Sequence, residues 1–265
     1  MSEFRRNLLT AMNKTEPPIT KDYLTIVALE DGLTAKLSLN ACEYCVDGDG
    51  NWKTLPTDTE TETINAGHTL SFRGNLTPKS NNGIGTFTVN KFHNLKGNCM
   101  SMLFGDDAKD CFSLAGKSYA FYNLFKENDK LINVSKSFLP ATSIVSYCYY
   151  GMFEGCVSLQ TTPNLPAKTI PIYCYRGMFL NCKSLLSSPI LQAKKLEYGS
   201  YGSMFAGCTK LNTITMLATD ISVNYCLANW VKGVAPNGTF VKSKDATWYV
   251  VGVNGIPQDW EVVTE

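Results

Sequence analysis

A single step of 26 residues constrains this chain more than any other feature. Met152, Met178 and Met204 are separated by it, as are Phe153, Phe179 and Phe205, and Cys156, Cys182 and Cys208. Leu159, Leu185 and Leu211 keep the same step, and so do Leu165, Leu191 and Leu217. The charges between them drift: "YCYYGMFEGCVSL" (147–159) becomes "YCYRGMFLNCKSL" (173–185). A looser earlier copy places Phe125, Leu131, Leu139, Pro140 and Ala141 against Phe153, Leu159, Leu165, Pro166 and Ala167, and a later one survives as Tyr225, Cys226 and Trp230. A fixed period of about 20 to 50 residues predicts a solenoid, because one unit cannot bury its apolar side alone and stacked neighbours complete the core.

Within each unit, a tight aromatic segment ending in Met-Phe-x-x-Cys leads to a turn and then an extended run. Pro163 and Pro189 in that run remove a backbone donor and clash with a helical turn. The expectation is one short strand and one short helical or irregular segment per coil.

The flanks differ in texture. Residues 21–97 hold short alternating runs such as "YLTIVAL", "LTAKLSL" and "TLSFRGN" between Gly, Asp and Asn turns, which reads as a β-sandwich-like module. From Asn98 the chain echoes the repeat irregularly, through "CFSL" (111–114), as a capping coil would. The segment 239–265 leaves the period and offers two β-rich runs, which predicts a C-terminal β cap. The expected order is therefore a peptide and linker over 1–20, a β-module over 21–97, a solenoid with its capping coil over 98–238, and a cap over 239–265. The fold class is mainly β with short helical segments.

The units "GMFEGCVSLQTTPNLPAKTI" and "GMFLNCKSLLSSPILQAKKL" resemble the BspA-type leucine-rich repeats of bacterial surface proteins and some phage proteins, over about residues 118–235. That resemblance implies a leucine-rich-repeat solenoid used for adhesion and protein binding. The chain departs from its own pattern where Ser200 replaces the first cysteine of a unit, Gly199 replaces the tyrosine, and Trp230-Val231 replaces Met-Phe.

Cysteine and tyrosine are the residues to which chemistry would first be assigned. Equivalent residues in neighbouring coils lie about 4.8 Å apart, wider than the roughly 3.8 Å between Cβ atoms that a disulfide prefers, so Cys156, Cys182 and Cys208 are expected to be small core fillers. Ser200, standing in the column of Cys148, Cys174 and Cys226, points to size rather than sulfur chemistry there too. Tyr147, Tyr173 and Tyr225 form one column, and Tyr149, Tyr175 and Tyr201 a second. In an extended segment the two would share a face. The rings then either pack against each other or expose part of a ladder that binds sugar or protein, with Tyr150 and Arg176 as freely varying neighbours.

Catalysis and metal binding find little support in the sequence. His68 and His93 are the only histidines and sit in no recognisable catalytic motif. Cys42 and Cys45 lack a second pair at zinc spacing. Asp47, Asp49 and Asn51 imitate a calcium loop, but Trp52 and Asp58 stand where a glycine and a glutamate are required, so a hairpin turn is expected. No enzyme activity, cofactor or metal is predicted.

Lys and Arg number 24 against 23 Asp and Glu, for a net charge of +1, which disfavours nucleic acid as a partner. No apolar run reaches the roughly 20 residues of a membrane span, and "MSEFRRNLLTAMNK" lacks the apolar core of a secretory signal. Phe4, Leu8, Leu9 and Met12 share one side at helical spacing, which makes them candidates for an anchor. "MSEFRRxLLxA" resembles the starts of fibre and appendage proteins of tailed phages. Together these readings predict a virion appendage that docks to a capsid or tail protein through its N-terminal peptide and binds a host surface glycan or protein through its repeats. A trimer is expected only by analogy with fibres. The alternative is a BspA-like adhesin on a bacterial surface, or a protein-interaction scaffold.

Overall fold

The computed structural model describes residues 22–265. The candidate anchor residues Phe4, Leu8, Leu9 and Met12 lie outside the described residues. The chain is mainly β, with a sheet-rich N-terminal part and a β-solenoid toward the C-terminus.

The N-terminal part contributes β1 (Leu24–Ala28), β2 (Ala35–Leu37), β3 (Cys42–Val46), β4 (Lys53–Leu55), β5 (Thr69–Arg73), β6 (Phe87–Val89) and β7 (His93–Lys96). In β2, β6 and β7 buried residues alternate with more exposed ones at the period of two read from the sequence, whereas three consecutive residues are buried in β1 and in β5. One sheet runs β4-β3-β5-β1-β7 in antiparallel pairs, and β2 with β6 makes a second, two-stranded sheet. Phe87 of the small sheet meets Phe72 of the large one edge-on, with centroids 4.9 Å apart, as in a sandwich. A one-turn helix, α1 (Ser101–Phe104), and a 3-10 turn (Gly105–Asp110) lead into the coils.

The boundary expected at residue 97 is not a break. β7 pairs in parallel with β8 (Leu131–Val134), so the module's sheet supplies the first rung of the solenoid. Gln160 donates to the Ile132 carbonyl and Ser184 to that of Val157, carrying the rungs onward to β9 (Ser187–Leu191). β10 (Thr213–Met216), β11 (Thr239–Lys242) and β12 (Glu261–Thr264) follow, all parallel. Thr213 lies opposite Ser187 and Thr239, each one repeat away, whereas Thr239 lies opposite Glu261, a shorter step. The C-terminal cap is thus a final, shortened coil whose strand joins the solenoid sheet.

The core is equally continuous. Phe72, Phe87, Phe125, Phe153, Phe179, Phe205 and Trp230 are each in ring contact with the next, from the sandwich to the last coil. From Phe125 to Phe205 the rings stack nearly parallel at 5.7 to 5.9 Å, one per coil. Each such pair contributes about 0.5–1.5 kcal/mol beyond burial of its area.

His93 sits at the seam between the two parts, on β7 between β1 and β8. Its Nδ1–H donates to the Lys91 carbonyl at 2.8 Å, and its Nε2 is buried without a partner. Burial therefore holds its pKa down at about 4, below the ordinary 6.5. The unfolded chain takes up a proton below pH 6.5 that the folded chain refuses until about 4, so stability falls with pH across that window. The expected loss is about 3 kcal/mol, at roughly 1.4 kcal/mol per pH unit. Urea unfolding at pH 7.5, 6 and 4.5 should show this slope in the wild type and a shallower one in His93→Gln; equal slopes would remove His93 as the cause.

Candidate functional site

The aromatic segment of each coil is neither helix nor strand but a ribbon of consecutive turns. In the coil that begins at Tyr147, the N–H groups of Cys148, Tyr150, Met152, Glu154 and Cys156 donate to carbonyls three residues back. Those of Tyr149, Gly151, Phe153 and Gly155 donate instead to Cys174, Arg176, Met178 and Leu180 of the next coil, at 2.8 to 3.1 Å. The carbonyls of Cys148, Tyr150, Met152 and Glu154 in turn receive Phe121, Asn123, Phe125 and Glu127 of the preceding coil. Every N–H from Cys148 to Cys156 is satisfied by this alternation, which is what allows such irregular backbone to be buried.

The ribbon needs a left-handed residue every fourth position. These are Tyr119, Asn123 and Glu127; then Tyr147, Gly151 and Gly155; Tyr173, Gly177 and Asn181; Gly199, Ser203 and Gly207; and Tyr225, Asn229 and Gly233. Glycine and asparagine dominate the second and third places, as positive φ favours. The side-chain period becomes four: Cys148 and Tyr149, Met152 and Phe153, and Cys156 point inward, whereas Tyr147, Tyr150 and Glu154 stay partly exposed.

This corrects the reading of the two tyrosine columns as one face. Tyr149, Tyr175 and Tyr201 are each 1% exposed, stack on one another inside the core, and cannot meet a ligand. Burial raises their phenol pKa values accordingly. An extended segment would have placed them beside Tyr147 and Tyr173, but the left-handed turn between rotates them inward.

Tyr147, Tyr173 and Tyr225 remain at the surface, and the structure adds residues that the pattern did not indicate. Tyr119 stacks on Tyr147 at 4.7 Å, Tyr147 on Tyr173 at 5.1 Å, and Tyr122 on Tyr150 at 4.9 Å. Gly199 breaks the column in the sequence, and the ladder is continued by Tyr198, 5.4 Å from Tyr173 and 5.5 Å from Tyr225. A Cβ at residue 199 would collide with the Tyr173 ring, so glycine there gives that ring its place. Arg176 lies over Tyr173 at 5.6 Å. The signal for Tyr198 was present in the sequence, one residue out of register beside the only unit lacking the column tyrosine.

The ladder changes character along its length. Tyr119, Tyr147 and Tyr173 cover one another's faces and present edges, whereas Tyr198 stands edge-on to Tyr173 and Tyr225 is tilted by 56° from Tyr198. Tyr225 is 65% exposed and borders an open cleft of about 480 Å³ between the last coil and the loop carrying Val250 and Asn254.

The cysteines do have a role that size alone missed. The Cys156, Cys182 and Cys208 thiols donate to the carbonyls of Phe125, Phe153 and Phe179 in the preceding coil, at 3.0 to 3.2 Å. Cys148 and Cys174 bring their sulfurs to 3.1 Å, fully buried. Cys42 and Cys45 lie three apart on one strand, so their side chains leave opposite faces of β3 and cannot share a metal. Burial pushes Cys42 up to about 12.

The Asp47–Asn51 stretch is the β3–β4 hairpin turn that was expected. Its carboxylates are turned to the chain: Asp49 accepts from the Asn51 N–H, and Asp47 from the Thr69 N–H and the His68 ring, which lowers the Asp47 pKa. Among the described residues no three His, Cys, Asp or Glu side chains converge as metal ligands, and no helix is long and apolar enough to cross a membrane. Comparison with protein-family models, with curated proteins and with solved structures finds no match.

Nine of the ten thiols are buried, and only Cys111 is partly exposed. Thiol titration of the native chain should therefore modify Cys111 alone, and titration of the denatured, unreduced chain should find all ten. A shortfall of two would instead reveal a covalent bond between coils, at Cys148 and Cys174.

Proposed function

We propose that this chain is a non-enzymatic attachment protein, a virion appendage whose tyrosine ladder contacts a ligand on the host surface. One observation carries the binding part of the reading. Four of the five coils place tyrosine at the left-handed position that opens the ribbon, at Tyr119, Tyr147, Tyr173 and Tyr225. A non-glycine residue there costs about 1–2 kcal/mol, and Gly199 occupies the same position without strain. The backbone asks for glycine and the chain repeatedly supplies a large ring, half-exposed, with Arg176 beside it. Strain of this kind gathers at functional sites, and tyrosine with arginine is the composition that dominates binding hot spots.

The virion part rests on the resemblance of the first residues to appendage proteins of tailed phages, and of the repeats to BspA-type units. Capture of a host ligand needs a rigid face rather than reactive groups, and the solenoid supplies a row of rings at one-coil spacing. A surface glycan or protein is the ligand this implies.

Replacing Tyr147 and Tyr173 together by glycine removes the ring contacts of Tyr147 with Tyr119, Tyr150 and Tyr173 and of Tyr173 with Tyr198, but relieves two strained residues. At about 0.5–1.5 kcal/mol per ring pair and about 1–2 kcal/mol per strained residue, the two effects largely offset. The expected result is a melting temperature within a few degrees of wild type with host-cell binding lost. Tyr149→Ala, inside the core, should cost about 3–5 kcal/mol like other large-to-small core changes. Unchanged binding by the double variant overturns the ladder as the contact surface. Deleting residues 1–16 should leave folding and ligand binding intact while abolishing incorporation into particles; a deletion variant that still incorporates refutes the anchor.

A further inference from the structure

The last coil does not have a complete cap. In each earlier coil the inward aromatic position donates its N–H across to the next coil: Phe121 to Cys148, Tyr149 to Cys174, Tyr175 to Ser200, and Tyr201 to Cys226. Leu227 holds that position in the final coil. The C-terminal loop takes the two neighbouring donors of the same ribbon, with the Asn229 N–H meeting Asn254 Oδ1 at 2.7 Å and the Val231 N–H meeting the Val253 carbonyl at 3.4 Å. Among the described residues no carbonyl receives Leu227. Beside its N–H lies the sulfur of Cys226, a weak acceptor.

Leu227, 3% exposed, is among the residues that line the 480 Å³ cleft, where the next coil would have continued. Three other properties of the cleft are those of an unfilled coil position. Tyr225, the most exposed ring of the ladder, borders it with no further ring stacked beyond, whereas Tyr147 and Tyr173 each have a neighbour on both sides. Asn224 and Asn254 bring carboxamides, and Asn254 has its Nδ2 free because Oδ1 serves Asn229. Among the described residues no charged side chain lines the cleft, so a neutral occupant is favoured over a charged one. The wall is already set, because Gly252 and Ile256 bond within the loop and the Trp230 indole N–H holds the Gly255 carbonyl at 2.7 Å. Gly233, the last donor of the ribbon, borders only a smaller recess of about 190 Å³ with no ring in it.

We infer that this cleft is a binding site for an extended, uncharged peptide segment of a partner protein, which supplies the missing carbonyl to Leu227 and lays an aromatic side chain on Tyr225. The peptide would do what a further coil does, adding one backbone hydrogen bond and one rung to the ring ladder. It is a form of recognition by adding chain to an exposed backbone edge, and it prefers peptide to sugar because the open donor stands in register with the carbonyls of every other coil. The inference deepens the attachment reading by naming the chemistry at one end of the ladder.

The test uses the full chain and amide NMR with three probes: Ac-Gly-Tyr-Gly-NH2, Ac-Gly-Ala-Gly-NH2 and chitotriose. The tyrosine peptide should give a saturable downfield shift of the Leu227 amide, with a Kd on the order of 1 mM as befits one hydrogen bond and one stack. The alanine peptide should bind more weakly, Tyr225→Ala should weaken the tyrosine peptide up to roughly tenfold, and Glu60→Gln, exposed on the N-terminal module, should change nothing. No saturable shift at Leu227 with either peptide, or a shift with chitotriose alone, overturns the inference. If Leu227 stays silent while Tyr147 and Tyr173 still govern host binding, the cleft falls and the ladder stands; if Leu227 responds while the double glycine variant still binds cells, the reverse holds.

Discussion

The alternating hydrogen bonds of the turn ribbon are the constraint on which the rest of this structure depends. A buried coil with no helix or ladder of its own would strand a polar group at nearly every residue, at about 1–3 kcal/mol each. Here one N–H closes a turn and the next crosses to the neighbouring coil, so local and inter-coil order arise together. The alternation requires a left-handed residue every fourth position, and that requirement sets which side chains point inward. The stacked phenylalanines, the buried tyrosines and the thiol-to-carbonyl bonds all follow from that fourfold rotation.

Because each coil completes the bonds of its neighbour, the parts cannot be separated at the boundaries that composition suggests. Phe87 of the small N-terminal sheet donates to the Leu124 carbonyl at 2.7 Å and stacks its ring on Phe125, so the sandwich is also the lid of the first coil. β7 and β8 do the same for the sheet. A change of texture near residue 97 was legible and real, but it marks a change of local geometry within one core rather than the edge of a folding unit.

The sequence carried the solenoid and its period clearly, since Met152, Phe153 and Cys156 recur at one spacing and are fully buried in each copy. The inward or outward direction of the tyrosines was harder to read. Amphipathic arguments assume a period of two or 3.6, and neither describes a ribbon whose period is four. The clue lay in the positions of Gly151, Gly155, Gly177, Asn181, Ser203 and Gly207, which mark the left-handed residues and so the rotation, but a glycine read alone signals only a turn. Tyr198 was missed for a related reason: it belongs to the ladder in space while standing outside its register in sequence, where Gly199 leaves room.

The ribbon also has a direction, and its two ends pose different problems. Its first coil presents carbonyls, which tolerate partial pairing because each has two lone pairs. The N-terminal sheet covers that end with a ring, the Phe87 N–H on the Leu124 carbonyl and the Thr86 hydroxyl on that of Asn123. Its last coil presents N–H groups, which do not tolerate burial unpaired, so the C-terminal segment must arrive as a set of acceptors. It does so with Val253, with the Asn254 side chain, and with Gly255 for the Trp230 indole, while the Ala235 carbonyl takes the Trp260 indole in return. A short loop reaches only the middle of a ribbon that offers donors along four turns, and so Leu227, itself 3% exposed, is left at the edge of the cleft with the Cys226 sulfur beside its N–H. The polarity of the coil therefore leaves donors without a carbonyl partner among the described residues at the C-terminal end, where the tyrosine ladder stops covering its own faces.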